Sequence, residues 1–364
     1  MTNVSFETFS AERLKNFVQA VFEQQGFSIQ HAQTCAEVLV SADARGIDSH
    51  GVARLSGYVR LIEKGRINPK PQMQFSQHRK AVAQLNADGA IGLVSAPLAM
   101  QRAIEITQDL GSGWCGIHHS NHFGIAGYHA LMAVQHDFIG MAMTNASPLV
   151  TPARGKERML GTNPIAVAIP AGEEAPFVLD MATSAAANGK LEIAQRHGKS
   201  IPEGWVMNAD GTSSKDPRAL KDGGMLLGLG SDMDHGYHKG YGLGAWVDIF
   251  SGVLNGGSFG PWAPPFVAFL DPVANQPGQG LGHFVGCWDP AAFRDISEFK
   301  FNMDLWIRRF RESSAIDPHR PVLVPGDPER TLEQERVQTG IPIVSPVVKD
   351  LEQLGEKLGL KLQP

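Results

Sequence analysis

The stretch from Gly92 to Ala130 constrains the fold more than any other, because it sets a familiar glycine pattern at the wrong junction. The apolar spacing predicts a long helix from about Gly92 to Leu110 and a short buried strand ending at Gly116 and Ile117. After a turn, Tyr128, Leu131, Met132 and Val134 resume a helical period. Gly111-Ser112-Gly113-Trp114-Cys115-Gly116 matches Gly-x-Gly-x-x-Gly, yet a dinucleotide fingerprint follows a strand and opens a helix whose N-terminus meets the phosphates. Here the glycines follow a helix and open a strand. The motif is therefore rejected as a Rossmann fingerprint, and a ligand is expected at the turn beyond the strand.

That turn is dense in imidazoles. Four of the thirteen histidines, His118, His119, His122 and His129, fall between Gly116 and Ala130 among small neighbours. A strand-to-helix turn points free N–H groups and the positive end of the helix dipole at whatever lies above it. Any one of these histidines is equally well explained as a helix cap or a carbonyl partner; the cluster is the signal. A metal-dependent hydrolase using all four would be a different class of enzyme. Such sites normally add a carboxylate or thiolate, and the nearest acid, Asp137, lies at the far end of the following helix, so no metal is expected.

A second candidate is Asp48-Ser49-His50-Gly51. Two helices deliver the chain to it, one capped by Ser10 with Leu14, Phe17, Val18, Val21 and Phe22 inward, one opened by Ser28 with Ala32, Cys35, Val38 and Leu39 inward. A third helix through Val52, Leu55, Val59 and Ile62 halts at Gly65, and Arg54 lies four residues beyond His50, the spacing of a shared helix face. Runs at 160–168 and 177–184 read as strands ending in short polar groups, among them Asn163 and Asp180. Phe266–Leu270 and His283–Trp288 read as two more, and Val322 begins a short strand, a tight turn and an acidic helix start. Residues 201–230 form a loop long enough to cover something. His238 and Lys239 open a helix, a placement suited to a phosphate. The tail from Val347 to Leu360 has the pattern of an amphipathic helix.

A formal charge of −5 argues against a nucleic-acid partner, so a small anionic substrate must be met by a local cation. Cys35, Cys115 and Cys287 show no paired spacing, which suits a reducing compartment. The first residues lack the order of a signal peptide and no apolar run is long enough for a span. A cytoplasmic protein without membrane partners is expected.

With these residues in view, the chain resembles the malate/L-lactate dehydrogenase family that includes L-sulfolactate dehydrogenase, ureidoglycolate dehydrogenase and 2,3-diketogulonate reductase. The likeness rests on Asp-Ser-His-Gly at 48–51 with Arg54, Ser-Asn-His-Phe-Gly-Ile-Ala-Gly-Tyr at 120–128, and Leu-Gly-Thr-Asn-Pro at 160–164. Leu-Asp-Met-Ala-Thr-Ser at 179–184, His-Lys-Gly-Tyr-Gly at 238–242 and Pro-Gly-Asp-Pro at 325–328 complete it. The resemblance implies an α/β fold, a layered mixed sheet with flanking helices that binds NAD or NADP without a Rossmann domain. It also implies a homodimer and the interconversion of a small 2-hydroxy acid and its 2-oxo acid. A cyclic imino acid reductase or a ureidoglycolate-type dehydrogenase is the alternative on the same scaffold. Residues 1–75 are expected to form a helical segment packed with 315–364, and 76–314 to carry cofactor and substrate.

On this resemblance His50 and His122 are the candidates for proton transfer, with His122 favoured because His50 shares its turn with Arg54. Arg54, whose planar fork suits a carboxylate, and Asn163 are expected on the substrate. Ser120, Asp180, Met181, Ala182, His238, Lys239, Gly326, Asp327 and Pro328 are expected on the cofactor. Two departures from the family pattern, Ala185-Ala186-Ala187 before Asn188-Gly189-Lys190 and the lack of a proline between Gly223 and Asp234, bear on cofactor choice.

Overall fold

The computed structural model describes residues 5–275 and 277–362, and the first four residues, on which the expectation of no signal peptide partly rests, lie outside them. The chain opens with strand β1 (Phe6–Phe9) and helices α1 (Ala11–Gln24) and α2 (Ile29–Ala44). Ser10 and Ser28 cap the helices as their positions predict, accepting from the N–H groups of Arg13 and His31. A single 3₁₀ turn (Val52–Arg54) leads into α3 (Leu55–Glu63). His50 therefore precedes the helix rather than sharing a helical face with Arg54, and something other than helical spacing must bring the two together.

The polar stretch after Pro71 forms an edge strand, β2 (Gln74–Arg79), followed by β3 (Val82–Asn86), α4 (Gly92–Leu110), β4 (Ser112–Ser120), α5 (Ala126–Val134) and β5 (Ile139–Thr144). Then come β6 (Ile165–Ile169), β7 (Phe177–Met181), α6 (Asn188–Arg196), three two-residue strands β8 (Val206–Met207), β9 (Ser213–Ser214) and β10 (Met225–Leu226), and α7 (Tyr237–Asp248). The described chain closes with β11 (Leu281–Trp288), α8 (Ile296–Arg311), α9 (Asp327–Thr339), β12 (Ile341–Val344) and α10 (Ser345–Leu358).

Seven strands form the main sheet in the order β2-β3-β4-β11-β5-β6-β7, with β3 and β4 parallel and every other pair antiparallel. Helices α4 and α5 cover one face through Ala96, Met100, Ala103, Ala130 and Ala133, set against Cys115, Ile117, Ala142 and Val285. The glycines of the rejected fingerprint serve this packing. Gly111, at φ +77°, ends α4 in the left-handed conformation, and a Cβ on Gly113 would lie 2.3 Å from the Ala103 carbonyl oxygen, so the helix rests directly on the strand. The opposite face carries Trp114, Met141, Met143 and Phe284, partly covered by Trp246 and Phe250.

A separate core joins α1, α2 and α3 to α10, with Leu14, Phe22, Leu39, Tyr58 and Leu351 buried together. β1 and β12 pair antiparallel beside it, linking the two ends of the described chain.

Several expected elements differ. β4 runs on to Ser120, so His118 and His119 belong to the strand end, where the pairing with β11 shifts register and His119 takes φ +54°. β6 starts only at Ile165, since Asn163 at φ +36° and Pro164 break the extended run before it. Phe266–Leu270 and Val322–Val324 are irregular rather than strands. Residues 201–230 fold around Ile201, Val206, Leu220 and Leu226, with β8, β9 and β10 as a small sheet, so they form a packed unit rather than a loose cover. Among the described residues no helix is long and apolar enough to cross a membrane.

Candidate active site

His50 stands at the end of the turn that follows α2. The next residue must be glycine, because a Cβ on Gly51 would fall 2.0 Å from Oδ1 of the buried Asp43. Asp43 in turn accepts from the N–H of Val52 at 2.7 Å, which ties this turn to α2. Within the turn, Ser49 Oγ lies 2.9 Å from His50 Nδ1, and the Ser49 carbonyl accepts from Arg54 Nε at 2.5 Å. This backbone contact, not a helical face, sets the guanidinium beside the imidazole. Gly189 packs so closely here that a Cβ would lie 2.8 Å from Ser49 Cβ and 3.2 Å from Arg54 Nη2.

His122 arrives from the other side, on the turn between β4 and α5, and each neighbour in its motif has a structural task. Asn121 is buried and donates to the carbonyls of Gly89 and Ala90, which fixes the turn. Phe123 is buried between His283, stacked at 4.9 Å, and His129 at 4.7 Å. Gly124 adopts φ +78° where a Cβ would press on Leu93 and Val38. The result is a stacked pair of imidazoles, His50 and His122, with centroids 5.7 Å apart and planes 20° from parallel. Tyr58 on α3 completes it, with its hydroxyl 2.6 Å from His122 Nδ1.

A strap closes over the pair. Phe266 packs its ring 4.7 Å from His122 and 5.0 Å from Tyr58, and its segment is held down by two arginines. Arg60 donates to the Phe266 carbonyl at 2.5 Å, while Arg66 donates to the carbonyls of Pro264 and Pro265. Gly57 makes room, since a Cβ there would stand 2.8 Å from the Phe266 ring. Beside this strap lies a cavity of about 570 Å³ lined by Arg54, Arg60, Glu192, Lys221 and the run 266–269.

The electrostatics follow from this enclosure. Desolvation, then the nearby Arg54 cation, push the His50 imidazole down to about 3. His122 is pushed well below its ordinary value by desolvation, then by His50, Arg54, His283 and Arg66. Both rings are thus neutral near pH 7, able to accept a proton or, through an N–H, to donate a hydrogen bond.

A second depression, about 300 Å³, lies between β7 and the start of α9, lined by Arg45, Ile47, Val178, Leu179, Asp180, Pro325, Gly326 and Pro328. It unites Asp180 with Gly326 and Pro328, which the sequence had grouped from distant motifs. The Asp180 carboxylate accepts from the Gly127 N–H at the start of α5, at 2.7 Å. Because Arg45 and Ile47 line this cleft and Arg54 lines the cavity above, the segment 45–54 borders both. Asp180 gives this cleft an exposed acceptor, and Gly326, at φ +100°, turns its wall tightly against Val178, where a Cβ would lie 3.1 Å from Val178 Cβ. Met181 and Ala182 follow Asp180 and are half-buried; His238 and Lys239 are exposed at the start of α7.

Three expected ligands are not available in this way. The Asn163 side chain is fully buried, donating to the Gly244 carbonyl and accepting from the Ala146 N–H, so it braces the backbone rather than facing a substrate. Ser120 is buried with its hydroxyl engaged, 2.8 Å from both Ser95 Oγ and His283 Nε2. The Asp327 carboxylate is taken by Arg311, Arg330 and the Val324 N–H and shapes the cleft turn instead. The four clustered histidines also separate. His129 Nε2 is bound to the Phe123 carbonyl, and among the described residues no three His, Cys, Asp or Glu side chains are grouped to hold a metal ion.

Tyr58, Phe266, Arg66 and Glu192 escaped the sequence reading. Tyr58 had a signal, lying four residues after Arg54 on the same predicted helix; Phe266 had none, because its run looked like a strand.

A stacked imidazole pair with an arginine beside it can move a proton and hold a carboxylate, as a dehydrogenase acting on the CH–OH group of hydroxy acids with a nicotinamide cofactor requires, and similarity to known proteins agrees. Residues 9–352 match the malate/L-lactate dehydrogenase family, and the chain belongs to that family. It is 37% identical to a malate dehydrogenase of Pyrococcus horikoshii over 351 residues, covering 96% of this chain and 95% of that one. It is 36% identical to a malate/(S)-sulfolactate dehydrogenase of Methanothermus fervidus over 355 residues, covering 97% and 98%. A crystal structure of malate dehydrogenase from Entamoeba histolytica superposes with a TM-score of 0.90 at 30% identity, covering 98% of this chain and 99% of the other.

Proposed function

We propose that this protein interconverts a small malate- or lactate-like 2-hydroxy acid and its 2-oxo acid, with NAD or NADP as the cofactor, at the site formed by His50, His122 and Arg54. The observation that carries the reading is the stacked His50–His122 pair with Arg54 locked against its turn. When bound, the nicotinamide supplies or takes the hydride. Arg54 receives the substrate carboxylate through its planar fork, since a single cation beside the histidines both anchors and orients the acid. His50 and His122 face the substrate oxygen, one to move the proton and the other to hold the oxygen by a hydrogen bond. Phe266 and Tyr58 exclude water from that oxygen, and Asp180, Gly326 and Pro328 cradle the ribose side, with Met181 and Ala182 beside them. Lys239 and His238, at the start of a helix, meet the phosphates.

Support for an acid with a second anionic group comes from the cavity beside Arg54, where Arg60 and Lys221 add positive charge against the single Glu192. Oxaloacetate, pyruvate, sulfopyruvate, a cyclic imino acid and ureidoglycolate, each assayed with both cofactors in the appropriate direction, test the proposal. It predicts the highest kcat/KM with an open-chain 2-oxo acid. Turnover confined to the cyclic imino acid or to ureidoglycolate would move the substrate assignment.

A further inference from the structure

His122 Nδ1 has two polar neighbours, the Tyr58 hydroxyl at 2.6 Å and the Gly124 amide nitrogen at 3.4 Å. A backbone amide only donates, so a lone pair of the ring must face it, and Nδ1 carries no proton. The phenol hydroxyl then donates to the same nitrogen. Burial raises the Tyr58 pKa well above its ordinary value, which keeps that hydroxyl protonated. The ring proton is left on Nε2, for which no hydrogen-bond partner is found among the described residues.

We infer that Tyr58 is a positioning residue: with the Gly124 amide it holds His122 in the Nε2–H tautomer, making His122 a fixed hydrogen-bond donor to the substrate oxygen and leaving His50 to move the proton. When the 2-oxo acid is reduced, the oxygen receives its proton from His50, which passes from imidazolium to imidazole, while His122 bonds the same oxygen and gives up nothing. In oxidation, neutral His50 takes the hydroxyl proton. In this assignment Ser49 Oγ, 2.9 Å from His50 Nδ1, accepts from that nitrogen in both charge states, which leaves Nε2 as the exchanging atom. A His122 already protonated on Nε2 cannot accept there, so the two histidines are not interchangeable.

Tyr58→Phe is the test. It removes one hydroxyl and keeps the ring packed at 5.0 Å on Phe266 and 6.4 Å on Phe22. Histidine is labelled with ¹⁵N in the full chain, the His122 signals are identified by their loss in His122→Gln, and long-range ¹H–¹⁵N correlation reads the tautomer. The wild type is expected to be protonated at Nε2. Tyr58→Phe is expected to show a mixture, with kcat lower by about 10- to 100-fold and KM changed by less than about threefold. A wild-type His122 protonated at Nδ1 overturns the inference, as does a Tyr58→Phe variant with wild-type kcat, whatever its tautomer. The kinetic arm rests on the hydroxy-acid reading and the spectroscopic arm does not. An Nε2–H tautomer in a protein without dehydrogenase activity would therefore count against the proposed function while upholding the role of Tyr58 in fixing the ring.

Discussion

Arg54 has its Nε bound to the Ser49 carbonyl, and its Nη1 is 3.9 Å from a Glu192 carboxylate oxygen, too far for a strong pair. The far side of the fork is therefore free for an anion without first breaking an internal ion pair. Arg54→Lys keeps the charge but loses both the fork and the Ser49 contact. We predict that it weakens substrate binding by about 1.5–3 kcal/mol, roughly a 10- to 150-fold rise in KM, with cofactor affinity little changed. Steady-state kinetics with a cofactor titration check this; an unchanged KM for every carboxylate substrate would remove Arg54 from the site. Burial is the main reason the resting histidines are neutral, and the charge of Arg54 adds to it. A bound carboxylate offsets the Arg54 charge that helps push His50 down to about 3, so substrate binding itself favours the protonated donor needed for reduction. His50, His122 and Arg54 were legible in sequence because each sits in a short polar motif interrupting an apolar pattern. Which partner each ring atom would find was not legible, because Tyr58 and Gly124 meet His122 only once α3 and the β4–α5 turn pack together.

Among the elements, α8 and α9 show how a cleft wall is built from charge. Asp327, at the first position of α9, accepts from Arg311 of α8 at 2.7 and 3.0 Å and from Arg330 at 2.9 Å, while Arg311 and Arg308 bind Glu174 ahead of β7. Burial would raise the Asp327 carboxyl, but Arg311, the Val324 N–H and Arg330 outweigh it and hold the group below its ordinary range. A carboxyl depressed in the folded state contributes stability above its unfolded pKa, and that contribution is lost as pH falls through the folded value. Asp327→Asn is therefore predicted to lower stability by about 2 kcal/mol at neutral pH, less at acid pH, and to weaken cofactor binding by loosening the Gly326 turn. Urea midpoints at two pH values and a fluorescence titration of cofactor measure both effects; unchanged values in each would show the network to be idle. The sequence marked the Pro-Gly-Asp-Pro turn and placed its aspartate on the cofactor; the structure shows the carboxylate bound to Arg311, Arg330 and the Val324 N–H. An acid that meets a ligand and an acid that shapes a cleft wall have the same sequence pattern, and the positions of Arg311 and Arg330 distinguish them here.

For the whole molecule, the helix–strand order around Gly111 carried the exclusion of a Rossmann unit, and the seven-stranded, largely antiparallel sheet agrees with it. The helices were readable from periodicity and capping because those signals are local. The irregular runs at 160–164, 266–270 and 322–324 were not, since short apolar segments become strands only when a sheet edge receives them, and here Arg60, Arg66 and Asp327 hold two of them elsewhere. The central claim is that one site, built from the turns at His50 and His122, transfers hydride to the carbonyl carbon of a 2-oxo acid. The most direct measurement incubates the protein with oxaloacetate or pyruvate and nicotinamide cofactor deuterated at C4, then locates the label in the product by mass spectrometry. A hydroxy acid carrying one deuterium at C2, formed by the wild type and lost in a folded His50→Asn, His122→Asn double variant, is the predicted result. Product without deuterium at C2, or labelled product formed as fast by the double variant, would contradict it.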